Sequence, residues 1–236
     1  MLTSSFALDF FLPVYCLGCS SPIPFSAIQT CPICRETLEQ PRASDFEAVL
    51  NEGLLDARGD RAEAPPGIAL WFYHRGGPVP GMHRRIKYGG AARLGERCGE
   101  LLGARLLCEH ELCLEPAGCP PIVVPIPLHA VRRRERGFNQ AEKIARGVAR
   151  HLDLNLDTTT LTRRDYEQSQ VGRSRRERFA GLGGAFECVR VSGSDAPVIL
   201  VDDVVTTGAT VLSATLTLRE AGHARIFVAA LGLVEL

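Results

Sequence analysis

The chain has 236 residues, 45% hydrophobic and 23% charged, a balance that fits one or two folded domains and excludes a low-complexity or disordered chain. Its 27 basic and 27 acidic residues cancel, which excludes a uniformly basic coat for nucleic acid. No window holds about 18 uninterrupted apolar residues, so no membrane span and no membrane partner are expected.

The N-terminal residues are apolar (Phe6, Phe10, Phe11, Leu12), without a basic leading segment or a small-residue cleavage site. The expectation is a short helix over 3–12 rather than a secretory leader. Next come Cys16-Leu17-Gly18-Cys19 and Cys31-Pro32-Ile33-Cys34, two C-x2-C pairs with eleven residues between them. Each pair sets two thiolates on one tight turn, and two such turns close a tetrahedral Zn²⁺ site with no open position. Four thiolates and no open position mean a structural zinc ribbon, placed at 1–40. An odd total of nine cysteines, four of them in a metal pattern, argues for the reducing cytoplasm over a disulfide scaffold.

Residues 36–63 carry eight acids and three Arg, and Ala64-Pro65-Pro66-Gly67 follows. Residues 41–66 are therefore expected to be a mobile linker with a short helix near Phe46–Leu55. A domain over 67–236 follows it. Ile68–Tyr73 reads as a strand and Met82–Tyr88 as a basic helix with Arg84, Arg85 and Lys87. A helix over Ala91–Cys108 turns Leu94, Cys98, Leu101, Leu102 and Arg105 inward. That makes Cys98 a core residue, while Cys108, Cys113, Cys119 and Cys188 receive no role. Only two Lys occur, Lys87 and Lys143.

Ile122–Val124 reads as a buried strand that gives way at Pro125 to the loop Pro125-Ile126-Pro127-Leu128, since Pro ends a central strand. An arginine-rich loop follows (Arg132, Arg133, Arg134, Arg136), then a helix capped by Asn139 and running to Leu152. The stretch 131–178 holds twelve Arg, one Lys and seven acids, a local net of +6 that calls for an anionic partner. His129 is expected to be structural. Short strands are expected at Leu161–Arg164 and Ala185–Val191, with a basic helix over Arg173–Phe179 between them.

The most informative stretch is Val198-Ile199-Leu200-Val201-Asp202-Asp203-Val204-Val205-Thr206-Thr207-Gly208-Ala209-Thr210. A continuously apolar buried strand runs into two adjacent acids, then a hydroxyl-rich turn that opens a helix. The turn offers N–H groups, hydroxyls and a positive helix end, a cradle for phosphate. Carboxylates beside such a cradle suit the hydroxyls of a sugar phosphate. The helix ends at Gly222, and a last strand covers Ala224–Leu231. Alternating strands and helices predict an α/β parallel sheet flanked by helices.

These thirteen residues resemble the PRPP-binding motif of type I phosphoribosyltransferases. With the four-cysteine segment, IKYGG at 86–90, VPIPL at 124–128, RGFNQA at 136–141, QSQ at 168–170 and VDDVVTTGAT at 201–210, most of the chain resembles the ComF family of phosphoribosyltransferase-like competence proteins. One departure is Gly181, where the family often has Asn. The resemblance implies a type I phosphoribosyltransferase-like fold and a PRPP ligand with Mg²⁺. Asp202 and Asp203 would hold the ribose, and Thr206, Thr207, Gly208, Ala209 and Thr210 the 5′-phosphate. Pro125–Leu128 would meet the pyrophosphate, helped by Arg136 and by contacts from Lys87 and Arg132. It also implies a link to DNA uptake. Two readings follow: a phosphoribosyltransferase, or a non-catalytic protein that handles single-stranded DNA or docks a helicase-like partner through the ribbon.

Overall fold

The computed structural model describes residues 14–16, 18–23, 30–58, 63–88, 92–109, 119–164, 185–188 and 196–235. The expected helices at 3–12 and 173–179, residues Cys113 and Gly181, and the basic run Arg173–Arg178 lie outside them.

A small antiparallel pair, β1 (Val14–Tyr15) and β2 (Pro22–Ile23), carries the first two cysteines, and a five-residue helix α1 (Pro32–Glu36) carries the second two. Helix α2 spans Ala43–Arg58 and leads to β3 (Gly67–Phe72), α3 (Pro78–Tyr88), α4 (Ala92–Glu109) and β4 (Ile122–Pro125). Helices α5 (Ala130–Arg136) and α6 (Gln140–Leu152), strands β5 (Asn155–Leu156), β6 (Leu161–Arg163), β7 (Phe186–Cys188) and β8 (Val198–Val205), helix α7 (Ala209–Glu220) and β9 (Ile226–Leu233) complete the order.

The main sheet has five strands in the order β3-β9-β8-β4-β5, all parallel. Its central strands are apolar on both faces, as burial on both sides requires. One face packs Ile199 and Val201 against Leu102 and Leu106 of α4 and Ile144 and Val148 of α6. The other packs Val198 and Leu200 with Phe46 and Leu50 of α2 and Leu212 and Leu218 of α7. Helices α4 and α6 approach closely because Gly99 and Gly147 face each other's backbones, leaving no room for a Cβ.

Three expectations are corrected. The segment expected as a mobile linker, 41–66, contains a sixteen-residue helix whose Phe46, Val49, Leu50 and Leu54 are buried in the second core. The stretch before it is also tied down, since buried Arg105 donates to Pro41 O and the Phe72 N–H donates to Glu39 O. The arginine-rich stretch is the short helix α5, not a loop. His129 Nδ1 accepts from the Val131 N–H at its start, and Gly137 ends it at φ 78° in the left-handed region. Finally, β6 and β7 form their own antiparallel pair beside the parallel sheet.

Other elements match expectation. Asn139 caps α6 by accepting from the Ala141 N–H, and Gly222 ends α7 with φ 101°. Cys98 is core, and burial pushes its thiol up to about 12.

Candidate functional site

Strand β4 connects through α5 and α6 to β5 on one side, whereas β8 connects through α7 to β9 on the other. The chain therefore reverses direction between β4 and β8, and open α/β sheets bind ligands in the crevice at the carboxyl ends of such a pair. Both expected motifs end there.

Strand β8 continues through the acid pair to Val205, further than its apolar start implied, and Asp202 pairs with Ala230 of β9. Asp202 and Asp203 therefore point to opposite faces of the pleat. Asp202 is 9% exposed, and its carboxylate accepts from the Asp203 N–H at 2.7 Å. Burial, joined by the neighbouring Asp203 charge, raises its pKa well above the carboxylate range. Asp203 is half-buried, which opposes ionisation. A hydrogen bond with His83, the charges of His83 and Lys87, and the Val204 N–H outweigh that and hold it below its ordinary value. His83 Nε2 lies 2.9 Å and Lys87 Nζ 3.6 Å from Asp203 Oδ2. The two carboxyls are thus pushed in opposite directions, Asp202 toward the neutral form and Asp203 toward the charged one, a split that suits hydrogen bonding with sugar hydroxyls.

Beside the acids lies a cleft of about 140 Å³, lined by Lys87, Ile126, Pro127, Leu128, Arg132, Arg136, Asn139, Gln140, Ala141, Arg163, Asp202, Asp203, Val204 and Thr210. Asn139 does more than cap, since its Nδ2 donates to Ile126 O at 2.9 Å and ties the Pro-rich loop to α6. Arg136 is set by Gln140 Oε1 at 2.9 Å and by the Tyr88 ring, 5.5 Å from its guanidinium carbon. Arg163 stands 5.2 Å from the Phe186 ring centre; burial, then the charge of Arg132, lowers its pKa. Crowded cations facing a cleft ask for an anion.

A second hollow of about 30 Å³ is lined by Asp202 and Val204 to Val211. Gly208 has φ 72°, and a Cβ there would come within 2.5 Å of Leu50 Cδ2. The turn is therefore left-handed and pressed onto α2. The end of the hollow is the N-terminus of α7, whose first N–H groups have no partner within the helix.

Of the residues expected from sequence, Lys87, Ile126, Pro127, Leu128, Arg132, Arg136, Asp202, Asp203 and Thr210 come together around the cleft, and Thr206–Thr210 line the hollow. Pro125 closes β4 and does not line the cleft. His83, Gln140 and Arg163 were not foreseen. His83 had a signal, its position one helical turn before Lys87.

The cysteines form the other candidate centre. Sγ atoms of Cys16, Cys19, Cys31 and Cys34 all lie within 4.8 Å of one another, and those of Cys19 and Cys31 are 3.7 Å apart. Tetrahedral zinc with thiolates at about 2.3 Å would space sulfurs by about 3.8 Å, so the cluster fits such an ion. Burial resists ionisation of Cys16, but N–H groups of Cys19, Cys31 and Gly18 outweigh it and lower its pKa. Burial and the neighbouring sulfurs push Cys34 up instead, a repulsion that a bound cation relieves. Among the described residues, this is the one cluster of three or more His, Cys, Asp or Glu placed to share an ion.

A parallel sheet with this reversal, an acid pair on β8 and a glycine turn opening α7 make a type I phosphoribosyltransferase-like fold with an N-terminal four-cysteine segment. The chain is similar to Competence protein F of Haemophilus influenzae, 35% identical over 112 residues, covering 46% of this chain and 48% of the relative. It is similar to DNA utilization protein YhgH of Salmonella typhi, 33% identical over 53% of this chain and 56% of that one. Competence protein ComFC of Bacillus subtilis is 36% identical over 44% of this chain and 40% of its own. The matches thus span about half the length of these relatives. No protein-family model matches the chain. Among solved structures, the allosteric regulatory enzyme of purine biosynthesis is similar over 63% of this chain and 30% of its own, at 19% identity and a TM-score of 0.40. The similarity is thus to proteins named for competence and DNA utilization. Among the described residues no helix is long and apolar enough to cross a membrane.

Proposed function

We propose that the crevice binds PRPP or a related ribose phosphate with Mg²⁺, that the four cysteines hold zinc, and that the protein works in DNA uptake or utilisation in the cytoplasm. The observation that carries the ligand assignment is the adjacency of the acid pair, the phosphate hollow and the arginine-lined cleft. In this reading Asp202 and Asp203 hold the ribose hydroxyls, and Thr206–Thr210 hold the 5′-phosphate. Pyrophosphate occupies the cleft against Lys87, Arg132 and Arg136, with Ile126, Pro127 and Leu128 shaping its wall. Mg²⁺ supplies further neutralisation of the pyrophosphate.

The reaction class is phosphoribosyl transfer. As the bond to pyrophosphate breaks, positive charge develops on the ribose ring and negative charge on the leaving group. The cleft cations stabilise the second, and ionised Asp203 favours the first. Catalysis is then placement and charge stabilisation, with no covalent enzyme intermediate. The link to DNA rests on the names of the relatives, which are competence and DNA utilization proteins.

Titration calorimetry with Mg-PRPP tests the ligand. Wild type binds, and Asp202→Asn/Asp203→Asn loses about a hundredfold in affinity, the scale of two charge-assisted hydrogen bonds. Equal affinity in both proteins rejects the site. Pyrophosphate release with nitrogen acceptors separates an enzyme from a binding protein.

A second reading is favoured by the exposure of Arg133 and Arg134 on α5, outside the cleft lining. They suit a non-catalytic role in which a single DNA strand crosses the basic rim. Such binding weakens steeply with salt and with Arg133→Ala/Arg134→Ala. Binding indifferent to both rejects it. A helicase-like partner docked on the ribbon belongs to the same reading, and a folded variant without residues 1–40 that still binds its partner would remove it.

A further inference from the structure

Helix α3 touches both candidate centres. Its first residue, Pro78, lies against the cysteine knuckle: a Cβ on Gly18 would come within 2.5 Å of Pro78 Cβ and 2.8 Å of Cys34 Sγ. Arg85 Nη2 donates to Ser20 Oγ of the same knuckle at 3.0 Å. His83 and Lys87 flank Arg85 two residues away on each side, so they point about 200° round the helix from it. Being four residues apart, they share a face and both reach Asp203 Oδ2, at 2.9 and 3.6 Å. One face of α3 is held by the ribbon, and the other grips the acid pair.

The two grips differ. Lys87 lines the cleft, while His83 does not; His83 is buried behind it, with Tyr73 Oη 3.4 Å from its Nδ1. An anion entering the cleft can draw Lys87 away from Asp203, and His83 stays. Among its described residues the ribbon has little regular structure. Its strands have two residues each, and its helix α1 buries none. Such a segment folds around its metal.

We propose that the four-cysteine ribbon is a positioning element of the acid pair: the ion closes the knuckle, the knuckle seats α3, and α3 delivers His83 and Lys87 to Asp203. His83 is thereby a positioning residue for the ribose-binding acid. This builds on the ribose-phosphate reading of the cleft.

The test uses the full chain, zinc-loaded, chelator-stripped and reloaded, with Mg-PRPP calorimetry and hydrogen exchange read over residues 78–88. Stripping lowers affinity about tenfold, within the range of site-to-site coupling, and speeds exchange in α3. Reloading restores both, and exchange in β8 and β9 stays slow throughout. Arg85→Ala keeps its zinc and loses about two- to threefold in affinity, as an exposed polar contact allows. His83→Ala keeps its zinc and loses affinity, and His83→Gln, which retains a hydrogen-bonding group, recovers part of it.

Unchanged affinity and unchanged α3 exchange after stripping would overturn the proposal. So would wild-type affinity in His83→Ala. If stripping unfolds the chain, the two zinc-loaded variants decide. If loaded wild type does not bind Mg-PRPP, the ribose-phosphate reading fails, and α3 exchange in Arg85→Ala and stripped protein alone decides the coupling.

Discussion

The two ends of the crevice are built from different material. The hollow proposed for phosphate is main chain: a left-handed Gly208, the turn Thr206–Thr210 and the first N–H groups of α7, pressed against Leu50 and Gly53 of α2. The opposite end is side chain: Lys87, Arg132, Arg136 and Arg163, brought from three separate elements. Main-chain donors at a helix end are fixed when the fold forms, whereas long cations gathered at one cleft repel one another until an anion arrives. Burial lowers the pKa of Arg163, and the charge of Arg132 adds to it by such repulsion. Damage to the first end should therefore cost stability and binding together. Damage to the second should cost binding alone.

The largest effect is expected at Gly208. Any L-residue there meets left-handed strain of about 1–2 kcal/mol. Alanine also pushes into Leu50, which is fully buried. Gly208→Ala should lower Tm and abolish PRPP binding, read by thermal unfolding and calorimetry. Leu50→Ala alone should cost about 2–5 kcal/mol for the cavity it leaves. Combined with Gly208→Ala it should cost less than the two separately, because one loss makes room for the other. Strict additivity would show that the hollow does not lean on α2.

That dependence was hidden in the sequence, and the reason is instructive. Phe46, Val49, Leu50 and Leu54 recur at helical spacing, but eight acids over 36–63 and the Pro-rich end of the segment suggested a solvated connection. Composition describes the exposed side of an amphipathic helix as loudly as its buried side. The strand–acid–turn unit of 198–210 was legible as structure because its pattern is local: the apolar run, the acids and the glycine turn are contiguous in the chain. Asn139 was legible as a cap for the same reason. Its second bond, to Ile126 O, spans thirteen residues and needs the fold. His83 reaches an acid 120 residues away, a relation no local pattern carries. The arginine stretch was read as a loop because charge drew attention away from Gly137, the residue that stops a helix there.

On the side-chain end, Arg136→Ala and Arg132→Ala should each lower PRPP affinity about tenfold, as loss of a charge-assisted contact does, with Tm within about 1 °C of wild type. The double variant should also lose salt sensitivity in binding. Arg136→Ala should have the larger effect, because Gln140 and Tyr88 hold that guanidinium ready for the ligand while Arg132 is exposed. A fall in Tm comparable to that of Gly208→Ala would erase the distinction between the two ends.

The smallest effect probes how the side-chain end is anchored. Asp157 opens the turn between β5 and β6, and β6 carries Arg163 to the cleft. Its own N–H donates to Val123 O at 2.9 Å, which fixes the turn to β4. Partial burial opposes its ionisation, but the hydroxyls and N–H groups of Thr159 and Thr160 prevail and hold it at about 2. A carboxyl depressed in the folded state stabilises the protein above its unfolded pKa, and that stabilisation is lost as pH falls through the folded value. Tm should therefore fall between the ordinary carboxylate range and about pH 2, and Asp157→Asn should flatten that part of the curve. At pH 7 the same variant should lose about 2 °C in Tm. Its PRPP affinity should drop less than in Arg136→Ala, because Arg163 shifts without leaving the cleft. An affinity loss as large as that of Arg136→Ala would mean that the cations depend on their backbone supports as strictly as the phosphate hollow does.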